Sequence, residues 1–328
     1  MNDNELKQSV ADTGRILLEK GLVARTWGNI SIRKDATHFA ISPSGLGYEN
    51  MTEEDVPIYD IESETWEGSR KPSSEKKIHG AAYKIFPDVN FVIHTHQDYA
   101  TAVGLVGTED LKLTPEEKNL LGDIRVAGYG LPGTKKLKKN VEAAYLKGSK
   151  VVLMLHHGAV ILGTDRDDAI KKAEALEEVC KRAVLEKIDK PVEGIKKEEL
   201  SKEMKAACTD LKVVCDDNLL LAAKNGVIRA ELDDIAQMLG GKLRSVKNDD
   251  AQILKALNKQ DAVLVEGVGC LILTENEGDA EALKLLTKKA AMAKRYTDAC
   301  GVKANLSAFD CKLMNVVYTL KYSKKKEG

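Results

Sequence analysis

The sequence predicts an α/β fold: a three-layer α/β/α domain on a mixed, largely antiparallel sheet, followed by a smaller α/β domain. Three observations point there. Segments with the 3.6-residue apolar period of a helix alternate with short strand-period segments through the first 188 residues. Some strand-like segments are consecutive, with only a turn between them, which an all-parallel sheet does not allow. From about Lys190 the chain becomes charged and helix-prone without a strong apolar period (KPVEGIKKEELSKEMKAA), and strand and helix patterns then resume.

The elements follow in order. ELKQSVADTGRILLEKG places Leu6, Val10, Ile16 and Leu17 near one helical face and stops at Gly21. NISIR and HFAIS alternate as strands, and SPSGLGY is a turn by composition. PSSEKKIHGAAYKIF predicts a helix, NFVIHTH a strand and YATAVGLVG a helix. LTPEEKNLL (helix), IRVAG (strand) and TKKLKKNVEAAYLKG (helix) come next. KVVLMLHHGAVILG predicts one strand broken at its centre, and a long helix runs from Asp165 to about Lys187. The first domain thus spans residues 1–190 and the second 200–328.

The second half repeats a theme of the first. Shifted by 111 positions, VVLMLHHGAVILG lies over AVLVEGVGCLILT, with matches at Val152/Val263, Leu153/Leu264, Gly158/Gly269, Ile161/Ile272 and Leu162/Leu273. A degenerate partial repeat is one reading; the other is that an apolar strand before an amphipathic helix is a common pairing. All six histidines lie in the first half, and Val268 stands where the first copy has His157. A second copy would therefore be metal-free.

Bulk composition excludes several classes. Lys and Arg number 50 against 51 Asp and Glu, a net charge of −1, so no global basic field holds nucleic acid or an anionic membrane. The N-terminus lacks a cationic segment followed by an apolar one, and no run of 18 apolar residues occurs. The expectation is a soluble, cytoplasmic protein. Six cysteines without a CxxC pair read as small buried hydrophobes, and the terminal KYSKKKEG as a solvated end.

The chemistry gathers around FVIHTHQDYA. In a strand, His94 and His96 share a face about 7 Å apart, which makes them either half of a metal site or a coincidence. A third imidazole is offered by His156 or His157, since strand alternation turns only one of the two to that face. Three imidazoles with an open position are the arrangement of a catalytic zinc. In PSSE, Pro72 to Glu75, the residues read either as helix capping or as an anion site at a helix start, with Glu75 in reach of a metal on the following strand. Asn29 in WGNISIR, and Ser44 and Gly45 in SPSG, are either ordinary strand-edge and turn residues or phosphate donors.

Taken in this order, GNISIR, ISPSGLGYENMTEEDV, PSSEKKIHGAAYKIFPDVNFVIHTHQDYA and LHHGAVILG resemble the class II aldolase/adducin family over about residues 5–188, closest to its sugar-phosphate aldolase members. The resemblance implies that His94, His96 and His157 hold Zn2+, that Glu75 is the acid/base, and that Asn29, Ser44, Gly45, Ser73 and Ser74 line a phosphate pocket. It implies retro-aldol cleavage of a small ketose phosphate through a metal-stabilised enediolate. That role calls for a Glu75 pKa raised by partial burial. His79 matches a family position too and is expected to pack or to support the site.

Two features depart from the pattern. Family aldolases carry a tyrosine that protonates the aldehyde-side oxygen, whereas DLKLTPEEKNLL has none and Tyr129 is the nearest downstream. Residues 200–328 are additional. Family members commonly form four-subunit assemblies with sites between subunits, so this half is expected to occupy a neighbour's place, giving a homo-oligomer in which a dimer imitates a tetramer. Rival expectations share the fold and the zinc: a sugar-phosphate 4-epimerase, which usually has Asp at the place of Glu75, and a methylthioribulose-phosphate-type dehydratase. A non-enzymatic scaffold like the adducin head would be expected to have lost the three histidines, and a plain binding module would use the pocket without turnover.

Overall fold

A computed structural model of the chain describes residues 1–190 and 192–323, which form two compact units, the first Met1–Val184 and the second beginning at Leu185. Residues 324–328 of the lysine-rich end lie outside the described residues.

The first unit opens with α1 (Asp3–Glu19), started by a capping box in which Asn2 and Glu5 each accept from the other's backbone N–H. Its inner face is Leu6, Val10, Thr13, Gly14 and Leu17. Ile16 is only half-buried, because a 100° step from Leu17 carries it off that face. Four strands follow, β1 (Asn29–Arg33), β2 (His38–Ile41), β3 (Ile58–Asp60) and β4 (Trp66–Glu67), then α2 (Lys76–Ile85), β5 (Phe91–Thr95), α3 (Asp98–Val106) and α4 (Pro115–Leu121). The unit closes with β6 (Ile124–Ala127), α5 (Lys135–Tyr145), β7 (Val151–Met154), β8 (Gly158–Gly163) and α6 (Arg166–Ile188).

The eight strands form one sheet in the order β4-β3-β2-β1-β5-β8-β7-β6, antiparallel at every junction except β6 beside β7. The sheet is therefore mixed and largely antiparallel, as the consecutive strands predict. On one face α2 and α5 bury Ile78, Ala82, Tyr83, Leu137 and Val141 against Phe39, Val92, Val152 and Val160. Against the other face pack α1 and α3. Each large side chain removed from water here contributes about 2 kcal/mol.

Two local expectations are corrected. KVVLMLHHGAVILG is not one broken strand but a hairpin: Met154 pairs with Gly158 across Leu155, His156 and His157, and His156 takes φ 69°, a left-handed turn that a non-glycine residue rarely adopts. The helix expected from Pro72 starts at Lys76, so Glu75 is its N-cap rather than part of its first turn. All six cysteines are free; Cys180, Cys270 and Cys311 are buried, but Cys215 is exposed, contrary to the expectation of buried hydrophobes.

The second unit contains α7 (Lys202–Ala207), β9 (Lys212–Val214), α8 (Asp217–Asn225), β10 (Ile228–Arg229), α9 (Asp233–Leu239), β11 (Lys242–Leu243), β12 (Ser245–Val246), α10 (Asp250–Leu257), β13 (Ala262–Val265), β14 (Gly269–Ile272), α11 (Glu277–Ala299) and α12 (Ala308–Ser323). Its main sheet runs β12-β13-β14-β9, with β12 parallel to β13 and the other pairs antiparallel. This is the order and sense of β6-β7-β8-β5. The register agrees as well: Val151↔Ile161 and Met154↔Gly158 in the first unit have counterparts Ala262↔Ile272 and Val265↔Gly269, each 111 positions on. Among the described residues no helix is long and apolar enough to cross a membrane.

Candidate metal and carboxylate site

The site lies where the α2-facing side of the central strands turns from apolar to polar. On that side Val92 of β5 pairs with Ser31 of β1, and one step further His94 pairs with Asn29. His94 is 1 % exposed, and His96 follows just beyond the end of β5. His157 ends the hairpin loop, its backbone N–H donating to the Met154 carbonyl at 2.9 Å. The three rings meet with centroids 4.7 to 4.8 Å apart. One ligating atom of each lies within 4.8 Å of those of the other two.

Two glycines make room for this. A Cβ on Gly158 would lie 2.2 Å from the Thr95 carbonyl oxygen, and one on Gly28, which has φ +85°, would lie 2.4 Å from the His94 carbonyl oxygen.

Glu75, 6 % exposed, turns inward from the start of α2. One carboxylate oxygen is 2.9 Å from His157 Nε2; the other is 3.1 Å from His94 Nε2 and accepts from Asn29 Nδ2 at 3.1 Å. Burial alone pushes the Glu75 carboxyl up, but His157 and His94, with hydrogen bonds from His157 and Asn29, outweigh it and hold the carboxyl well below the usual range. The expectation of a raised pKa is thereby corrected in direction: positive charge on His157 and His94, with the hydrogen bonds from His157 and Asn29, favours the anion more than burial disfavours it. Burial pushes His94 down.

The donor set fits a metal. His94 Nδ1 lies 2.8 Å from the Ala159 carbonyl, which can only accept, so Nδ1 carries the hydrogen and the Nε2 lone pair faces the cluster. That lone pair lies 3.1 Å from His96 Nε2 and 3.1 Å from an anionic oxygen of Glu75. Electron-rich atoms converging this closely are what a cation requires.

The other expected residues fall into two places. Pro43 and Pro72 form an antiparallel bridge, with Ser44 N–H donating to the Lys71 carbonyl and Ser73 N–H to the Ser42 carbonyl. Ser44, Gly45, Ser73 and Ser74 are thus brought onto two neighbouring loops. Ser73 Oγ accepts from the Glu75 N–H at 3.2 Å, while Ser74 is exposed. Asn29 lies on β1 beside these loops, its amide between Glu75 and His79. Tyr129 packs edge-on against His156, the residue before His157, with ring centroids 5.1 Å apart.

A buried polar group around His79 was not legible as such. His79 Nδ1 is 2.7 Å from Ser31 Oγ, which is 2.7 Å from Tyr83 OH. The sequence signal for it is the i, i+2 pair Asn29 and Ser31 on a strand facing the i, i+4 pair His79 and Tyr83 on a helix. Burial lowers the His79 pKa to about 3. The unfolded chain then takes up a proton as pH falls through 6.5 while the folded chain does not, so this stability is complete above about pH 6.5 and lost towards pH 3. Denaturant midpoints at about pH 7.5 and about pH 5 should show His79→Gln reducing the acid loss of stability by about 2 kcal/mol; equal losses in both proteins would refute the assignment.

Three imidazoles and a carboxylate gathered at the polar end of a mixed α/β/α sheet define a candidate mononuclear metal centre. The chain belongs to the Class II Aldolase and Adducin N-terminal domain family, whose model matches residues 8–184. It is 33 % identical over 198 residues to an L-ribulose-5-phosphate 4-epimerase, UlaF, of Salmonella paratyphi C, covering 55 % of this chain and 84 % of the relative. It is 31 % identical over 186 residues to a 3-oxo-tetronate 4-phosphate decarboxylase of Haemophilus influenzae, covering 55 % of this chain and 88 % of the relative. Among solved structures it resembles an L-fuculose 1-phosphate aldolase, with a TM-score of 0.51 and 29 % identity over 63 % of this chain and 95 % of that one.

Proposed function

We propose that the first unit is a zinc-dependent aldolase that cleaves a ketose phosphate. The observation that carries this reading is the convergence of Glu75 with His94, His96 and His157. The three imidazoles would hold the metal and leave a tetrahedral zinc one open position. A zinc ion there supplies Lewis-acid polarisation of a substrate oxygen. Glu75 moves the proton: in cleavage the ionised carboxylate takes up the proton lost by the hydroxyl on the carbon that becomes the aldehyde and gives it to the carbon beside the ketone once the carbon–carbon bond has broken, and in condensation both transfers run in reverse. The paired loops at Ser44, Gly45, Ser73 and Ser74 would line the phosphate, whose binding energy positions the reacting end. Asn29 joins them as a donor at the Glu75 side.

The names of the three relatives support a phosphorylated sugar or sugar-acid substrate. Two of them also favour a second reading, in which the same carboxylate and imidazoles serve 4-epimerisation or decarboxylation.

The second unit is read as a partial, metal-free copy of the first. Its support is the shared sheet order and the common offset of 111 in register. By that register Val213, paired with Leu271, stands where His94 pairs with Val160, which puts Cys215 at the place of His96 and Val268 at that of His157.

Chelation tests the reading. Dialysis against a chelator should abolish cleavage of ketose phosphates and added zinc should restore it; cleavage indifferent to both treatments would overturn it.

A further inference from the structure

The Glu75 carboxylate ends a chain of buried hydrogen bonds whose direction can be worked out from its end. Asn29 Nδ2 lies 3.1 Å from Glu75, Asn29 Oδ1 2.5 Å from His79 Nε2, His79 Nδ1 2.7 Å from Ser31 Oγ, and Ser31 Oγ 2.7 Å from Tyr83 OH. Ser31, His79, Asn29, Tyr83 and Glu75 are all buried. Asn29 turns its N–H to a Glu75 carboxylate oxygen and its carbonyl oxygen to His79. That carbonyl oxygen only accepts, so His79 carries its hydrogen on Nε2. His79 is neutral, which leaves Nδ1 an acceptor that takes the Ser31 hydroxyl hydrogen. Ser31 then has no hydrogen left for Tyr83, so Tyr83 donates to it. Every hydrogen in the chain points from Tyr83 towards Glu75.

We propose that His79 is a positioning residue of this site: held as its Nε2–H tautomer by Ser31 and Tyr83, it locks the Asn29 amide with its N–H groups on the Glu75 side. Two consequences follow. Asn29 offers donors only, so any substrate group that meets it is an acceptor, such as a phosphate, carboxylate or ketone oxygen, and not a hydroxyl donor. The chain also does not relay protons, because an amide nitrogen with its hydrogens in place has no lone pair to take the proton Glu75 collects. It fixes where the carboxylate points.

The kinetic part of this inference rests on the aldolase reading; the tautomer does not. Long-range proton–nitrogen NMR of the full-length chain labelled at histidine nitrogen, with His79 assigned by the loss of its signals in His79→Gln, should show hydrogen on Nε2 and none on Nδ1. In Ser31→Ala a mixture of tautomers should appear. With the zinc-loaded enzyme, His79→Leu should lower kcat about tenfold, the worth of one buried hydrogen bond, with KM changed less than about threefold. His79→Gln, whose side-chain amide can still donate to Asn29, should recover most of that loss. An Nδ1–H tautomer or an imidazolium in the wild type, or a His79→Gln enzyme as slow as His79→Leu, would overturn the proposal. If the wild type cleaves no ketose phosphate, the aldolase reading fails, and the spectrum still decides the role of His79.

Discussion

His94→Ala should leave the chain with less than about a tenth of the roughly one zinc per chain expected of the wild type, and should lower turnover by about 10⁴-fold or more. The effect is large because the site has no spare imidazole. His38 is engaged with Asp35 and Asp60, His79 is committed to Asn29 and Ser31, and His156 packs against Tyr129. The second unit has no histidine at all. Loss of His94 also strips Glu75 of the neighbour 3.1 Å from one of its oxygens. Elemental analysis of the purified variant checks the first half of the expectation and a turnover assay the second. Full zinc content in His94→Ala would show that the metal is held elsewhere.

Glu75→Gln should separate binding from chemistry. The amide keeps the shape of the carboxylate and leaves three imidazoles, so zinc content should stay within about twofold of the wild type, whereas kcat should fall about 10³-fold because an amide neither takes nor returns a proton. The depressed pKa of Glu75 gives the variant a further signature: the wild-type site carries an anion that the variant lacks. If Glu75→Gln lost zinc in proportion to activity, Glu75 would be a required ligand and its assignment as the proton carrier would be wrong.

Much of the first unit was legible because its elements are long enough to show a period. FVIHT opens on a short apolar run of strand length, ELKQSVADTGRILLE repeats at helical spacing, and consecutive strands with short turns pointed to antiparallel pairing. The hairpin at His157 was not legible in the same way, since its turn puts His156 at a positive φ that composition does not announce. Glu75 was misplaced by one turn for a related reason. Pro72, Ser73 and Ser74 look like a helix start, but they run alongside Pro43 and Ser44, and the helix waits until Lys76. The Tyr83–Ser31–His79–Asn29 chain is present in the sequence as two spacings, yet only the packing of α2 on β1 brings them together. In the second unit the apolar strand segment and the helix after it were visible through the offset of 111, though not the turn that makes the segment a hairpin. Strands β9 to β12, of two or three residues each, are too short to carry a period.

The central claim is carbon–carbon bond cleavage at this site, and product analysis tests it most directly. The zinc-loaded chain should be incubated with a panel of ketose 1-phosphates and 5-phosphates and the products identified by mass. Release of two carbonyl fragments from one ketose phosphate, one of them keeping the phosphate, is the predicted result. An isomer of unchanged mass, or loss of carbon dioxide or water without a second carbonyl fragment, would contradict it.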